Sequence, residues 1–98
     1  MAFIILRKKL HNVSLIKIEA NSIYNTMIWR KLRQKKLSEN PLCEDCLDSE
    51  IITKAIEVHH ITPFMHGFNK QTKLKLAYDF NNLKSLCLNC HYKLHHLN

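Results

Sequence analysis

The sequence has no long apolar run, and this absence excludes one class of protein. Its 98 residues contain nothing close to the roughly 20 apolar residues that a membrane span requires, so we expect no membrane partner. The apolar run at residues 3–6 is also too short for a secretory signal, and basic residues follow it at once. Internal repeats and low-complexity segments are absent too. These absences predict one small domain, since a length near 100 residues is typical of a single core.

Acidic residues are scarce as well. The 8 Asp and Glu residues stand against 15 Lys and Arg residues, which gives a formal charge of +7. Residues 1–40 and 61–98 are basic, whereas residues 41–60 are acidic. Basic segments attract polyanions, and phosphate contacts dominate sequence-independent affinity for nucleic acid. A solubilising surface is the alternative explanation. The charge therefore favours a nucleic-acid partner, although it does not separate DNA from RNA.

The four cysteines form two Cys-x-x-Cys pairs, Cys43 with Cys46 and Cys87 with Cys90. Thiolates at this spacing can bind one tetrahedral zinc ion from a single turn, and two such turns close the site. The alternatives are two free dithiols or a redox pair, but a redox Cys-x-x-Cys needs no second copy. We therefore predict a structural Zn²⁺ site, with folding coupled to metal binding, in a protein of the reducing cytoplasm.

The segment from Ser22 to Leu37 has helical periodicity. Its apolar residues recur at offsets of three, four and eight and share one face: Tyr24, Met27, Ile28 and Leu32. Basic residues cover most of the remaining surface, which either lies on a DNA backbone or simply faces solvent. We favour DNA binding and assign it to the five basic side chains of this helix: Arg30, Lys31, Arg33, Lys35 and Lys36.

The remaining segments predict a small α+β domain at residues 22–98, preceded at 1–21 by an N-terminal basic arm of uncertain structure. β-Branched residues and turn signals locate the strands. A long loop in so small a domain is usually functional or mobile. The predicted elements are a short strand at 51–53, the main strand at 55–61, a long loop at 64–78, a second strand at 83–86 and a helix from 88 or 89 to about 97.

Histidines gather at two places in the sequence. His59 and His60 end the main strand, and neighbouring side chains on a strand point to opposite faces, so one can hold a metal while the other faces a substrate. His91 and His95 are four residues apart on the predicted helix and share a face. Together with Asn82, these side chains suit metal-assisted hydrolysis. A structural metal site or a surface cluster of histidines is the alternative.

These motifs resemble the HNH endonuclease family. That family places a His-His or Asp-His pair on the first strand of a ββα-metal core, an Asn between the strands and a metal-binding His on the helix. Many members also carry two zinc knuckles, as the cysteine pairs here suggest. The resemblance covers about residues 22–96. The chain departs from the pattern at Leu94, where many relatives have a basic residue, and at the single Gly67, where a Gly-Gly pair is frequent.

The resemblance implies a role for each site residue. His60 is the expected general base, and Asn82 is expected to accept a hydrogen bond from its other ring nitrogen. A catalytic divalent ion, whether Mg²⁺, Mn²⁺, Ni²⁺ or Zn²⁺, is expected at His59 and His91, with His95 as a third ligand.

The function implied is cutting or nicking of double-stranded DNA with limited sequence preference. Stand-alone family members occur in phages and prophages, where some assist genome packaging, so phage packaging proteins are candidate partners. One alternative is a non-catalytic, zinc-stabilised DNA-binding module that retains the fold. The other is an RNA-directed nuclease. The intact His60, Asn82 and His91 argue against the binding module, because a binder needs no oriented base.

Overall fold

The computed structural model describes residues 17–96, with the side chains of residues 17–94. This part of the chain contains five helices and a two-stranded sheet, joined in places by 3₁₀ turns at Phe64–His66 and Phe80–Asn82. No helix within residues 17–96 is both long enough and apolar enough to cross a membrane. The elements are α1 (17–24), α2 (Met27–Glu39), α3 (Glu44–Asp48), β1 (Glu57–His60), α4 (Lys70–Ala77), β2 (Leu83–Leu86) and α5 (Leu88–His96).

The sheet is antiparallel and carries the site residues at one end. His60 is paired with Leu83, so the end of β1 lies beside the start of β2. α2 packs on the sheet, where Trp29, Val58 and Leu83 form a buried cluster. The strand predicted at 83–86 is confirmed, whereas β1 is shorter than the predicted 55–61. α5 begins at Leu88, as predicted, and contacts both strands.

The single helix predicted from Ser22 to Leu37 is in fact two helices, because Thr26 interrupts it. The Thr26 hydroxyl donates to the carbonyl of Ile23 at 2.8 Å and accepts from the backbone N–H of Trp29 at 3.1 Å. The side chain thus caps the start of α2. Residues 17–21, which we assigned to the N-terminal arm, belong to α1, and residues 1–16 lie outside the described residues.

The apolar face predicted for this segment is wrong at two positions. Met27 and Ile28 are each 60% exposed, whereas Trp29 is 6% exposed. Because the new helix starts at Thr26, its orientation is set by the sheet and not by α1. The side of α2 that faces the core therefore consists of Trp29, Leu32, Lys36 and Leu37.

Residues 64–78 are not the long loop that we predicted. They contain α4, whose start is capped by Asn69, since the side-chain oxygen accepts from the backbone N–H of Thr72 at 2.8 Å. Gly67 allows the preceding turn to lie against this helix, because a Cβ there would be 2.7 Å from the backbone nitrogen of Lys73. The last residue of α4, Ala77, is fully buried and joins the second apolar cluster of the protein.

The strand predicted at residues 51–53 is also wrong, because Ile52 is 79% exposed and only an isolated bridge forms nearby. The backbone N–H of Cys43 donates to the carbonyl of Thr53 at 2.7 Å, and the N–H of Ala55 donates to the carbonyl of Pro41 at 2.8 Å. These two bonds hold the loop after α3 against the chain that enters the first cysteine pair.

Candidate functional site

Each cysteine pair forms the start of a helix. Cys43 is the N-cap of α3, and its sulfur accepts from the backbone N–H of Cys46 at 3.5 Å. In the second pair, the sulfur of Cys87 accepts from the backbone N–H of Cys90 at the same distance. Cys87 immediately precedes α5, and Cys90 is in its first turn. Both turns thus aim two sulfur atoms to the same side, which is the arrangement of a zinc knuckle.

The two turns meet, and their four sulfur atoms lie within 4.8 Å of one another. The sulfur of Cys46 is 3.8 Å from that of Cys87 and 3.7 Å from that of Cys90. A tetrahedral zinc ion with Zn–S bonds of about 2.3 Å separates its ligands by roughly 3.8 Å. Burial raises the pKa of Cys43, but backbone hydrogen bonds from Cys87 and Cys46 lower it to about 7. Burial and the neighbouring thiols raise the pKa of Cys90, so four thiolates require a bound cation. The cluster therefore fits one metal ion.

Two carboxylates in the first turn of α3 attach this cluster to the rest of the domain. Glu44 accepts a hydrogen bond from the backbone N–H of Ser85 in β2 and forms an ion pair with Lys36 of α2 at 3.2 Å. Asp45 forms an ion pair with Lys84 of β2. The acidic segment between residues 41 and 60 thus has a structural use, since it pairs with the buried Lys36 and the partly buried Lys84.

The candidate ligands of a second ion are two histidines on neighbouring elements. The rings of His59, on β1, and His91, near the start of α5, are 5.9 Å apart between centroids and nearly perpendicular, at 76°. Two imidazoles that share an ion at N–metal distances of about 2.0–2.1 Å have ring centres roughly 5–6 Å apart. These residues therefore fit a shared ion. The side chain of His95, the predicted third ligand, lies outside the described side chains, so this assignment stays a prediction.

His60 lies next to this pair but in a different environment. The side chain is 6% exposed, and its Nε2 is 2.9 Å from the carbonyl oxygen of Ala77. A carbonyl can only accept, so Nε2 carries the proton and Nδ1 keeps a free lone pair. Burial lowers the pKa of His60, although the bond to Ala77 acts in the opposite direction. The ring is therefore neutral at neutral pH, which a general base requires.

Aromatic side chains hold the His60 ring in place. The indole of Trp29 stacks on it, with 4.9 Å between centroids and 25° between planes, and Phe64 contacts it edge-on at 4.8 Å. Trp29 is buried in the core that α2 forms with the sheet. The imidazole therefore has one hydrogen bond and two ring contacts to fix its orientation before a substrate arrives.

The prediction that Asn82 holds the His60 ring directly is wrong. The Asn82 amide donates to the carbonyls of Thr62 and Leu76, each at 2.9 Å, and accepts from the N–H of Thr62 at 2.8 Å. The last carbonyls of a helix have no partner within it, and α4 offers those of Leu76 and Ala77. Asn82 binds the first and His60 binds the second. Asn82 thus positions His60 through the end of α4 and not by direct contact.

The three histidines meet at one pocket of about 110 Å³. Val58 and Pro63 form apolar parts of the pocket wall. The remaining lining residue is Tyr24, at the end of α1. Sequence analysis placed Tyr24 on the apolar face of a helix and gave it no part in the site. The missed signal was the break at Thr26, which makes Tyr24 the last residue of α1.

The basic helix is less uniform than its sequence suggests. Lys36 is 6% exposed, paired with Glu44 and hydrogen-bonded to the Asn40 side chain at 3.1 Å, so its assignment to DNA binding is wrong. Arg33 is half-buried and donates to the carbonyl of Ile56 at 2.9 Å. The side chains of α2 that were assigned to DNA and are exposed are Arg30, Lys31 and Lys35.

Comparisons with known proteins agree with this geometry. A family model described as HNH endonuclease matches residues 43–97. Among solved structures, the chain is similar to the crystal structure of the HNH endonuclease of the deep-sea thermophilic bacteriophage GVE2 with manganese ion: the TM-score is 0.69, the identity is 32% and 89% of each chain is covered. No curated protein matches the sequence. With the clustered cysteines, these matches confirm the α+β fold with a ββα core.

The cysteine cluster leads to a prediction about metal content. We expect the purified protein to keep about one zinc per chain through dialysis against a mild chelator, because four thiolates bind the ion tightly. Cys87→Ser should lose the ion and much of the folded structure, as measured by elemental analysis and circular dichroism. Asn89→Ala, at an exposed position between Cys87 and Cys90, is the control and should keep the zinc and the folded structure. A fully folded protein without bound metal would contradict this expectation.

The Asn82 contacts lead to a second prediction. Asn82→Asp keeps the shape but places an oxygen against the carbonyls of Thr62 and Leu76, so two partly buried acceptors lose their donor. We expect the free energy of unfolding to fall by about 2–4 kcal/mol in urea titrations, since each unsatisfied buried group costs about 1–3 kcal/mol. The neighbouring, exposed Asn81→Asp should change it by less than about 0.5 kcal/mol. Equal effects of the two variants would remove Asn82 from this role.

Proposed function

Because the chain belongs to the HNH endonuclease family, we propose that it hydrolyses phosphodiester bonds of double-stranded DNA and requires a divalent metal ion. One observation carries the proposal: a neutral, oriented His60 lies at the same pocket as the paired rings of His59 and His91. A module that only binds nucleic acid has no use for a buried imidazole with a free lone pair. The geometry therefore favours a nuclease over the binding module.

His60 is the general base of the proposed reaction. Its Nδ1 accepts the proton of the attacking water, while its Nε2 proton stays on the Ala77 carbonyl. The stacked Trp29 and the buried surroundings keep the ring from turning away. Asn82 supports the same geometry by binding the preceding carbonyl of α4. The protein thus prepares the base before the substrate binds, which lowers the cost of orienting it in the reaction.

His59 and His91 are the proposed ligands of the catalytic ion, and His95, one helical turn after His91, is the proposed third. A divalent ion bound there supplies Lewis-acid polarisation of the phosphate and stabilises charge on the leaving oxygen. The similar phage enzyme was crystallised with manganese ion. We propose Mg²⁺, Mn²⁺, Ni²⁺ or Zn²⁺ for this site and a separate, structural Zn²⁺ for the four cysteines.

The exposed basic side chains of α2 are the proposed DNA contacts. Arg30, Lys31 and Lys35 are on a helix whose opposite side packs on Val58 and Leu83 of the sheet. α2 also carries Trp29, which touches His60. A phosphate backbone bound along α2 would therefore be close to the pocket. Phosphate contacts of this kind position a duplex without reading its sequence, which agrees with limited specificity.

Cleavage of supercoiled plasmid tests the proposed function. We expect the protein to cut or nick DNA only with added divalent metal, and His60→Asn to lose at least about 10²-fold in rate while still binding duplex, because the base is gone. His66→Asn, a change at an exposed histidine, is the control and should cleave normally.

Two results would overturn parts of the proposal. If the wild-type protein binds duplex DNA but does not cut it with any metal ion, the non-catalytic binding module is the function that remains. Cleavage of RNA in place of duplex DNA would move the substrate to the alternative class.

Two neighbouring lysines of α2, Lys35 and Lys36, allow a matched test of the DNA surface. Lys35→Met removes an exposed charge, so the slope of log affinity against log salt should fall by about 1 in anisotropy titrations. The loss of stability should be small, about 0.5–1 kcal/mol, because the ammonium group also lies 5.2 Å from the centre of the Phe80 ring. Lys36→Met should keep that slope but lower the free energy of unfolding by about 1–3 kcal/mol, since Glu44 loses its ion pair. The reverse pattern would contradict the assignment of these two side chains.

A further inference from the structure

Tyr24 lies in the wall of the pocket that contains His59, His60 and His91. Its ring is held by edge-on contacts, with centroids 5.4 Å from Trp29 and 5.3 Å from Phe64. The ring of His60 is 6.2 Å away. The phenol therefore has a defined place beside the proposed base, and the same two aromatic side chains orient both rings.

The Tyr24 hydroxyl has no structural use within the described part of the chain. It makes no hydrogen bond there, whereas the hydroxyl of Tyr78 is 2.9 Å from that of Thr26. The side chains of Val58 and Pro63 in the pocket offer no donor, and the three histidines already have proposed roles. With 41% of Tyr24 exposed, a ligand in the pocket can reach it.

The chemistry of this hydroxyl suits a donor. Partial burial raises the pKa of Tyr24, so the phenol keeps its proton at neutral pH and can donate it in a hydrogen bond. A phosphodiester in the pocket presents two nonbridging oxygens that share a negative charge and can only accept. A hydrogen bond to an ionised acceptor is about twice as strong as one between neutral groups.

We propose that Tyr24 is a further catalytic residue, whose hydroxyl donates a hydrogen bond to a nonbridging oxygen of the scissile phosphate. This inference rests on the nuclease function proposed above and adds a substrate contact to it. The hydroxyl complements the proposed metal ligands, because Tyr24, His59 and His91 line the same pocket. Charge on the phosphate oxygens rises during attack, so the bond strengthens as the reaction proceeds.

Tyr24→Phe tests the proposal with the loss of one oxygen atom. The variant keeps the ring contacts with Trp29 and Phe64, and equal thermal midpoints will confirm that its fold is intact. We expect the cleavage rate of bound plasmid to fall about 10- to 100-fold, the range for loss of a hydrogen bond to a charged group. Tyr92→Phe, at an exposed tyrosine of α5 outside the pocket lining, is the matched control and should cleave at the wild-type rate.

A second readout separates this inference from the nuclease proposal. Titration calorimetry with inorganic phosphate and Mg²⁺ needs no turnover, and we expect Tyr24→Phe to bind phosphate about tenfold more weakly than wild type and Tyr92→Phe. If Tyr24→Phe cleaves plasmid and binds phosphate as well as the wild-type protein does, the proposed role of Tyr24 is overturned and the nuclease proposal stands. If the wild-type protein does not cleave but Tyr24→Phe binds phosphate more weakly than it does, the Tyr24 contact is supported and the nuclease proposal is overturned.

Discussion

The rest of the domain depends on the meeting of the two cysteine pairs. Cys46 and Cys87 are 41 residues apart in sequence, yet their sulfur atoms are 3.8 Å apart. The intervening chain must therefore return to its starting point, and it does so as β1, α4 and β2. His91 follows Cys90 directly, so the cluster also fixes where that imidazole lies relative to His59 on β1. In so small a domain a structural metal supplements a limited apolar core.

The opposite end of the sheet is organised by the free carbonyls of α4. Leu76 and Ala77 end that helix, and their carbonyl oxygens accept from Asn82 and His60. One feature of every helix, the unpaired carbonyls of its last turn, here fixes the tautomer of the proposed base. The cysteine cluster and the proposed base are thus at opposite ends of the two short strands.

Sequence predicted the features whose signals are local. The Cys-x-x-Cys spacing within each pair and the turn residues ahead of Leu83 are local signals, and they predicted the cysteine cluster and β2. α4 was missed because its polar, lysine-rich sequence lacks a clear apolar face. Without α4, the partner of Asn82 could not be identified. The burial of Lys36 depends on Glu44, in another element, so no helical pattern could reveal it.

The most direct test of this account is anomalous X-ray scattering from crystals of the protein soaked in Mn²⁺, measured at the zinc and manganese absorption edges. The account predicts a zinc signal centred on Cys43, Cys46, Cys87 and Cys90, and a manganese signal between His59 and His91. A brief wash with chelator should remove only the manganese. Manganese away from the histidines, or no metal among the cysteines, would contradict the division into a structural and a catalytic ion.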